Sequence, residues 1–400
     1  MYILCLPHYT GSHLFLKNRQ RAEEYVTGIV FNNNPGILQN NSLIFHQLYP
    51  HKTVPMLRRK FLQNSLLLAS ASGINNRLSV NLGKHSTDSD NPLEKAKMAL
   101  LTMQRNSKEQ GMASIAFLNS GDYDLVVLIA FEAINALTNS PEAEKTQKLA
   151  DTAPAGEALL YAAQKTDDKN FQETVNSMTS SLLNRDQVAE ENIYLYGNNQ
   201  EVNIETVFYI LPFLAAAGFA DEAYIRFTAL RKLLYDENKH LFNPIYDAGK
   251  KEITPTGFWG SGNGLAVTGL TRMLRFIPSG MSEEKEELTD FLKELIDGCL
   301  VYLREDGLFH NIIDDTSSFV EVDLSQMLAY AIFSGIYYGY LGFDYRGKAD
   351  LMRKAVNEKT DTYGFVNDAC SLTDRNTSCR SVGAQVFYVL METAANRLYK

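Results

Sequence analysis

Two carboxylates and one indole are the side chains of this sequence best suited to chemistry: Glu205, Asp151 and Trp259, the only tryptophan in the chain. Glu205 is the sole ionisable residue of the run Ile204 to Leu214, and on a helix its neighbours three and four positions away are Glu201, Val202, Phe208 and Tyr209. Burial beside such neighbours favours the protonated form of a carboxyl, as a general acid near neutral pH requires. A Glu at a helix start is equally favoured by the helix dipole while wet at a rim, and the residues alone leave both readings open. Asp151, in Asp151-Thr152-Ala153-Pro154-Ala155-Gly156-Glu157, directly precedes a helical run over 155–165, so it reads either as an N-cap or as a second acidic group. Trp259 lies in Gly257-Phe258-Trp259-Gly260-Ser261-Gly262-Asn263-Gly264-Leu265, ahead of a helical run over 265–277. Glycines that let backbone approach a ligand, next to a flat apolar face, suit a sugar ring. A plain helix-entry loop packed on one Trp is the competing reading. A dinucleotide loop would need a buried strand in front of it, and residues 247–256 are polar and turn-rich.

Helices must position these groups. Apolar residues recur at helical spacing over 94–106, 109–119, 122–138, 155–165, 169–184, 204–217, 220–236, 264–277, 283–303, 322–341, 346–358 and 381–397, with Gly, Pro, Asn and Ser breakers between them. Twelve helices make six hairpins. Members of a pair differ: 204–217 is apolar all round, whereas 220–236 mixes Asp221, Glu222, Arg226, Arg231 and Lys232 with one apolar stripe. Alternating buried and half-exposed helices predict an all-α (α/α)6 barrel, a toroid of inner helices inside outer ones, with a ligand site at one mouth. If the hairpins point the same way, Asp151, Glu205 and the Trp259 loop converge there. Asp323 with Gln326 reads as a capping box for the helix over 322–341.

The chain has 400 residues, 45% hydrophobic and 21% charged, with a net charge of -9. That is globular composition, and an acidic chain is a poor match for a phosphate backbone, so nucleic acid is excluded as a partner. Met56-Leu57-Arg58-Arg59-Lys60-Phe61-Leu62 runs into Leu66-Leu67-Leu68-Ala69-Ser70-Ala71, a basic start, an apolar stretch and an A-x-A cleavage pattern. The arginine pair resembles a twin-arginine export motif. We expect residues 1–55 to be an upstream or disordered segment, 56–71 an export signal peptide leading to the periplasm, 72–90 a linker and 91–400 the barrel domain. With the signal removed no membrane contact is expected. An ordinary basic-apolar helix is the alternative for 56–71. Cys370 and Cys379 could bridge in an oxidising compartment, and neither cysteines nor histidines have metal-ligand spacing, so no metal and no cofactor are expected.

Several segments in order resemble the unsaturated uronyl hydrolases, glycoside hydrolase family 105, related to family 88. They are 103–111, 151–156, Ile204 to Leu214 with its Leu-Pro-Phe-Leu ending, Phe258-Trp259-Gly260-Ser261-Gly262-Asn263-Gly264, Asp306 to His310 and Phe319-Val320-Glu321. The resemblance runs from about Asn91 to the C-terminus. It implies an (α/α)6 barrel that removes Δ4,5-unsaturated uronic acid from the non-reducing end of lyase-generated oligosaccharides. In that reaction a carboxylic acid protonates C4, water adds at C5, and the hemiketal opens to release the sugar. By the same resemblance Glu205 stands for the family's catalytic Asp, Asp151 for its second active-site Asp, and Trp259 for its loop tryptophan. Ser261, Asn263, Tyr246, Asp247 and Thr152 are expected to bind substrate. Departures are also visible: Glu for Asp at 205, Pro244 and Tyr246 where the family has a histidine and a tryptophan, Ser261 for a carboxylate-binding Arg, and Leu265 and Lys108 for tryptophans. They leave open the same barrel acting on a different sugar, or a catalytically impaired glycan-binding paralogue.

Overall fold

A computed structural model describes residues 91–139, 149, 151–183, 201–254, 257–370 and 377–400. The expected upstream segment, signal peptide and linker lie outside the described residues. The helices are α1 (Pro92–Met103), α2 (Ser107–Ser120), α3 (Tyr123–Thr138), α4 (Gly156–Lys165), α5 (Lys169–Leu183), α6 (Thr206–Tyr209), α7 (Leu211–Ala216), α8 (Ala220–Leu234), α9 (Gly260–Met273), α10 (Ser282–Leu300), α11 (Asp323–Tyr338), α12 (Arg346–Glu358) and α13 (Val382–Leu398). Their ends follow local chemistry. Asn91, Asn106 and Ser381 accept backbone N–H groups as N-caps, and Gly121 and Gly339 end α2 and α11 in the left-handed conformation.

Inner helices pack in a closed circle: α2 on α4, α4 on α7, α6 and α7 on α9, α9 on α11, α11 on α13, and α13 back on α2. Outside them sit α1, α3, α5, α8, α10 and α12, each against an inner neighbour. This is the expected six-hairpin (α/α) toroid. Burial follows from composition: every residue of α9 but Ser261 is buried, whereas α12 buries only the stripe Ala349, Met352, Ala355 and Val356. Gly264 and Gly269 bring inner helices close, since a Cβ at 264 would lie 2.1 Å from the Met327 sulfur and one at 269 would lie 2.2 Å from the Val207 carbonyl oxygen.

One expected helix divides. Pro212 cannot donate to the Phe208 carbonyl four residues back, and the segment 204–217 breaks at Ile210 between α6 and α7. The guanidinium of Arg272 takes the freed acceptor, donating to Phe208 O at 3.0 Å while pairing with the buried Glu157 carboxylate.

Connections are unequal at the two ends of the ring. From inner to outer helices they are short, such as 121–122 and 217–219. From outer to inner helices most are long and carry the strands β1 (Glu201–Asn203), β2 (Tyr235–Asp236), β3 (Leu241–Phe242), β4 (Ile245–Asp247), β5 (Glu252–Ile253), β6 (Phe309–His310), β7 (Val320–Glu321), β8 (Ala369–Cys370) and β9 (Ser378–Cys379). All pairings are antiparallel, in the orders β1-β4-β5, β2-β3, β6-β7 and β8-β9. The N-termini of the inner helices and these ribbons therefore share one mouth, the usual place for function on a rigid scaffold.

Cys370 and Cys379 do not form a disulfide with each other. Cys370 lies opposite Ser378 and Cys379 opposite Ala369, which points the two sulfurs to opposite faces of the ribbon.

Candidate active site

Glu205 ends the turn that carries β1 into α6, its backbone N–H held by the Asn203 side chain at 2.9 Å. Its carboxylate is only 12% exposed and meets the Lys108 ammonium at 2.9 Å. Lys108 comes from the first turn of α2, and its Nζ also stands 4.4 Å from the centre of the Tyr209 ring. The carboxylate is thus one half of an ion pair, rather than the isolated group that its own segment suggests. The partner arrives from another hairpin, beyond the reach of periodicity.

Glu205, Tyr209, Ser261, Asp323, Cys370 and Ser381 are among the residues that line a recess of about 30 Å³ at the mouth. Such a volume holds a water or two, so a sugar ring would lie above it, towards the mouth. Each wall is the start of an inner helix or the ribbon leading into one.

Asp323 belongs to a carboxyl pair with Glu321 that the sequence reading did not assign to the site. Asp323 is 4% exposed and Glu321 fully buried. Asp323 accepts the Cys370 N–H at 2.7 Å and the Gln326 amide at 3.3 Å. Its side chain therefore reaches another ribbon and does not cap α11. Glu321 supplies that cap, accepting the backbone N–H groups of Asp323 and of Leu324, the latter at 3.2 Å. Burial, with the Asp323 charge adding to it, holds the Glu321 carboxyl well above the usual carboxylate range. Burial also lifts Asp323, to about 6, against the backbone N–H and the side-chain hydrogen bonds that favour its ionised form. The available signal was a lone Asp opening an otherwise uncharged inner helix, two residues after a Glu on a strand.

The tryptophan loop stands at the same mouth. Trp259 is the half-buried N-cap residue of α9 and bridges Ile312, while Gly260 N–H donates to Asn311 O at 2.8 Å. Ser261, two residues on, lines the recess with Glu205. Gly260 to Gly264 are the first turn of α9, earlier than expected, and they serve packing rather than ligand approach: a Cβ at 260 would come within 2.8 Å of Glu321 Oε1.

The other expected positions divide. Asn263 is buried, with its amide accepting from Phe242 N–H at 2.7 Å and donating to the carbonyls of Phe242 and Trp259 at 3.0 and 3.1 Å; it clamps β3 to α9 and is not open to substrate. Thr152 is 0% exposed, which also removes it from direct substrate contact. Asp151 and Thr152 already have helical backbone, and neither the 3-10 turn Ala153–Ala155 nor α4 has a side-chain cap, so Asp151 is not an N-cap. Half-buried Asp151 lies outside the wall of the recess; the turn it precedes packs against α2 and α6. Tyr246 pairs with Val202 and Ile253 on the ribbon leading to Glu205. Asp247 is taken up by the turn after β4, accepting Lys250 N–H at 2.9 Å and pairing with its ammonium at 3.1 Å, contacts that hold its carboxyl below the usual range.

The closed toroid of six helical hairpins, with acidic groups at its mouth, is the six-hairpin (α/α) fold. The sequence profile of glycosyl hydrolase family 88 matches residues 123–399, and the chain belongs to that family. Solved structures share the fold. A family 105 glycoside hydrolase from C. acetobutylicum superposes with a TM-score of 0.65 at 15% identity over 76% of this chain and 98% of that one. A possible family 105 member from Salmonella enterica gives 0.68 at 14% identity, covering 82% and 100%. The unsaturated glucuronyl hydrolase of Bacillus sp. GL1, responsible for the degradation of glycosaminoglycan, gives 0.58 at 14% identity, covering 76% and 94%. A search of curated proteins finds no sequence match.

Proposed function

We propose that the protein removes Δ4,5-unsaturated uronic acid from the non-reducing end of oligosaccharides left by polysaccharide lyases, by hydrating the vinyl ether. A proton adds to C4, the ring oxygen stabilises the cation at C5, water adds there, and the hemiketal opens to release the rest of the chain. The observation that carries this reading is Glu205, fixed at the mouth of the closed ring by Lys108 at 2.9 Å and facing the recess. Family membership supports it, as does the likeness to an unsaturated glucuronyl hydrolase. The inner-helix N-termini direct partial positive charge at the mouth and, with Lys108, favour a uronate carboxylate there. Asp151, on the turn packed against α2 and α6, is proposed as the second acidic group, and Trp259 as the face on which a sugar ring stacks.

The test is loss of the ultraviolet absorbance of the C4=C5 bond when purified protein meets unsaturated disaccharides from several lyases. Wild type is expected to consume at least one of them, and Glu205→Ala to do so slower by about 100-fold or more, the usual worth of acid–base catalysis. No decay on any of them overturns the hydrolase reading. Equal oligosaccharide binding by wild type and Glu205→Gln, with neither consuming it, would establish a glycan-binding paralogue instead.

A further inference from the structure

We propose that Lys108 sets specificity for an acidic sugar by exchanging partners: its ammonium leaves Glu205 for the substrate's uronate carboxylate, and Glu205, released, takes up the proton that it gives to C4. The exchange rests on the hydratase reading above. Glu205 and Lys108 form an ion pair at 2.9 Å, and a carboxylate in an ion pair carries no proton. The acid of a vinyl-ether hydration must begin with one.

Substrate chemistry puts the two carboxyl groups side by side. C4, which accepts the proton, and the carboxyl carbon are both bonded to C5, so a group placed to protonate C4 stands next to the uronate carboxylate. Two carboxylates in contact repel each other and compete for a nearby cation. None of the described residues that line the recess is Lys, Arg or His. The ammonium that meets two of them is that of Lys108, 2.9 Å from the Glu205 carboxylate and 4.4 Å from the centre of the Tyr209 ring.

Lys108 combines a fixed base with a movable charge. It lies in the first turn of α2, where Asn106 accepts the Glu109 N–H at 3.0 Å. One turn on, Gly111 packs so closely on the turn before α4 that a Cβ there would lie 2.8 Å from Ala155 N. The four-carbon stem above this base is flexible and ends in a point charge, which moves between carboxylates more freely than a guanidinium fork. Its side chain is 27% exposed against 12% for Glu205, so an incoming anion reaches the ammonium more readily than the carboxylate behind it.

Charges and protons balance. Before binding, the ammonium neutralises Glu205. Afterwards it neutralises the uronate, and Glu205, beside that anion and without its cation, takes one proton from solvent. That proton and the π electrons of C4=C5 form the new C4–H bond, water bonds to the cation at C5, and its surplus proton passes to Glu205. When the products leave, that proton returns to solvent and Lys108 returns to Glu205. A neutral sugar brings no anion and leaves the pair closed.

The experiment crosses wild type and Lys108→Met with an unsaturated disaccharide and the same disaccharide whose uronate is reduced to the alcohol. The preference for the acid, in kcat/KM, is expected to be about 10- to 100-fold smaller in Lys108→Met than in wild type, the worth of a hydrogen bond to a charged group. Comparing the two preferences cancels the intrinsic reactivity of the two vinyl ethers. Lys108→Arg should keep part of the preference, Lys108→Gln serves if Lys108→Met misfolds, and Kd reports the same preference where a variant is inert. Rapid mixing of wild type with the acid in dilute buffer and a pH-indicating dye should show a burst of proton uptake before steady turnover, absent with the alcohol and absent in Glu205→Gln. Tyr209, Asp323 and Cys370 of the recess, and Asp151 beside the turn packed on α6, also titrate, and all are unchanged in Glu205→Gln, so that variant assigns the proton. An equal preference in wild type and a folded Lys108 variant overturns the role of Lys108 and leaves the hydratase reading standing. A burst missing from wild type, or kept in Glu205→Gln, overturns the exchange. A wild type inert to every unsaturated disaccharide overturns the hydratase reading and the exchange with it.

Discussion

Asp323 also ties the stability of the fold to pH. Its carboxyl ionises near 3.8 in an unfolded chain and near 6 in the fold, where burial opposes the charge. Below the lower value both states hold the proton. Between the two the unfolded chain has released it and the folded chain has not, so stability falls as pH rises, and above about 6 the whole cost of a buried carboxylate is present. Asp323→Asn is therefore expected to melt at a higher temperature than wild type above pH 6, with the gap closing below the unfolded value. Thermal melts across that range check this, and a gap independent of pH would show that the folded state does not retain the proton. The same residue marks a limit of reading side chains from sequence. Glu205 and Ser261, which line the recess, each stand in a distinctive run. Lys108 meets Glu205 across 97 positions, and Asp323 meets Cys370 across 47, contacts that no local pattern encodes. Asn263 and Thr152 look polar and available in a string of letters, and only packing shows one engaged on both sides and the other sealed.

Helices were legible and ribbons were not, for one physical reason. A helix repeats its apolar stripe over several turns, whereas two- and three-residue strands such as β3 and β8 contain no period at all. What holds the inner helices at the depth of the recess is close approach through glycine, and α9 shows this most sharply. An alanine at 269 would gain at most about 1 kcal/mol of helix propensity. Its Cβ would sit 2.2 Å from the Val207 carbonyl oxygen, in backbone that cannot rotate away. Overpacking costs about 1–3 kcal/mol and wins. Gly269→Ala should thus lower the denaturant midpoint, while Gly280→Ala, where a Cβ meets nothing within 4 Å, should leave it unchanged. Equal effects from the two substitutions would remove close packing as what fixes the spacing of α6 and α9.

Across the whole molecule, the ring closes within the described residues: α13 returns to both α1 and α2, so the last hairpin seals the first. Each inner helix therefore has an inner neighbour on both flanks among the described residues. The family profile begins at residue 123 and Asn91 caps α1, and on these we propose 91–400 as the working unit. We therefore expect residues 91–400, produced alone, to fold to the same melting temperature as the full chain and to turn over unsaturated disaccharide at the same rate. Export through Met56 to Ala71, as proposed from the sequence, would deliver this unit, and secretion of a reporter fused behind residues 56–71 would test that route separately. A shortened protein that aggregates, or that folds with lost turnover, would place part of the working site before residue 91. Full activity would make the barrel with its single acidic mouth sufficient for the chemistry.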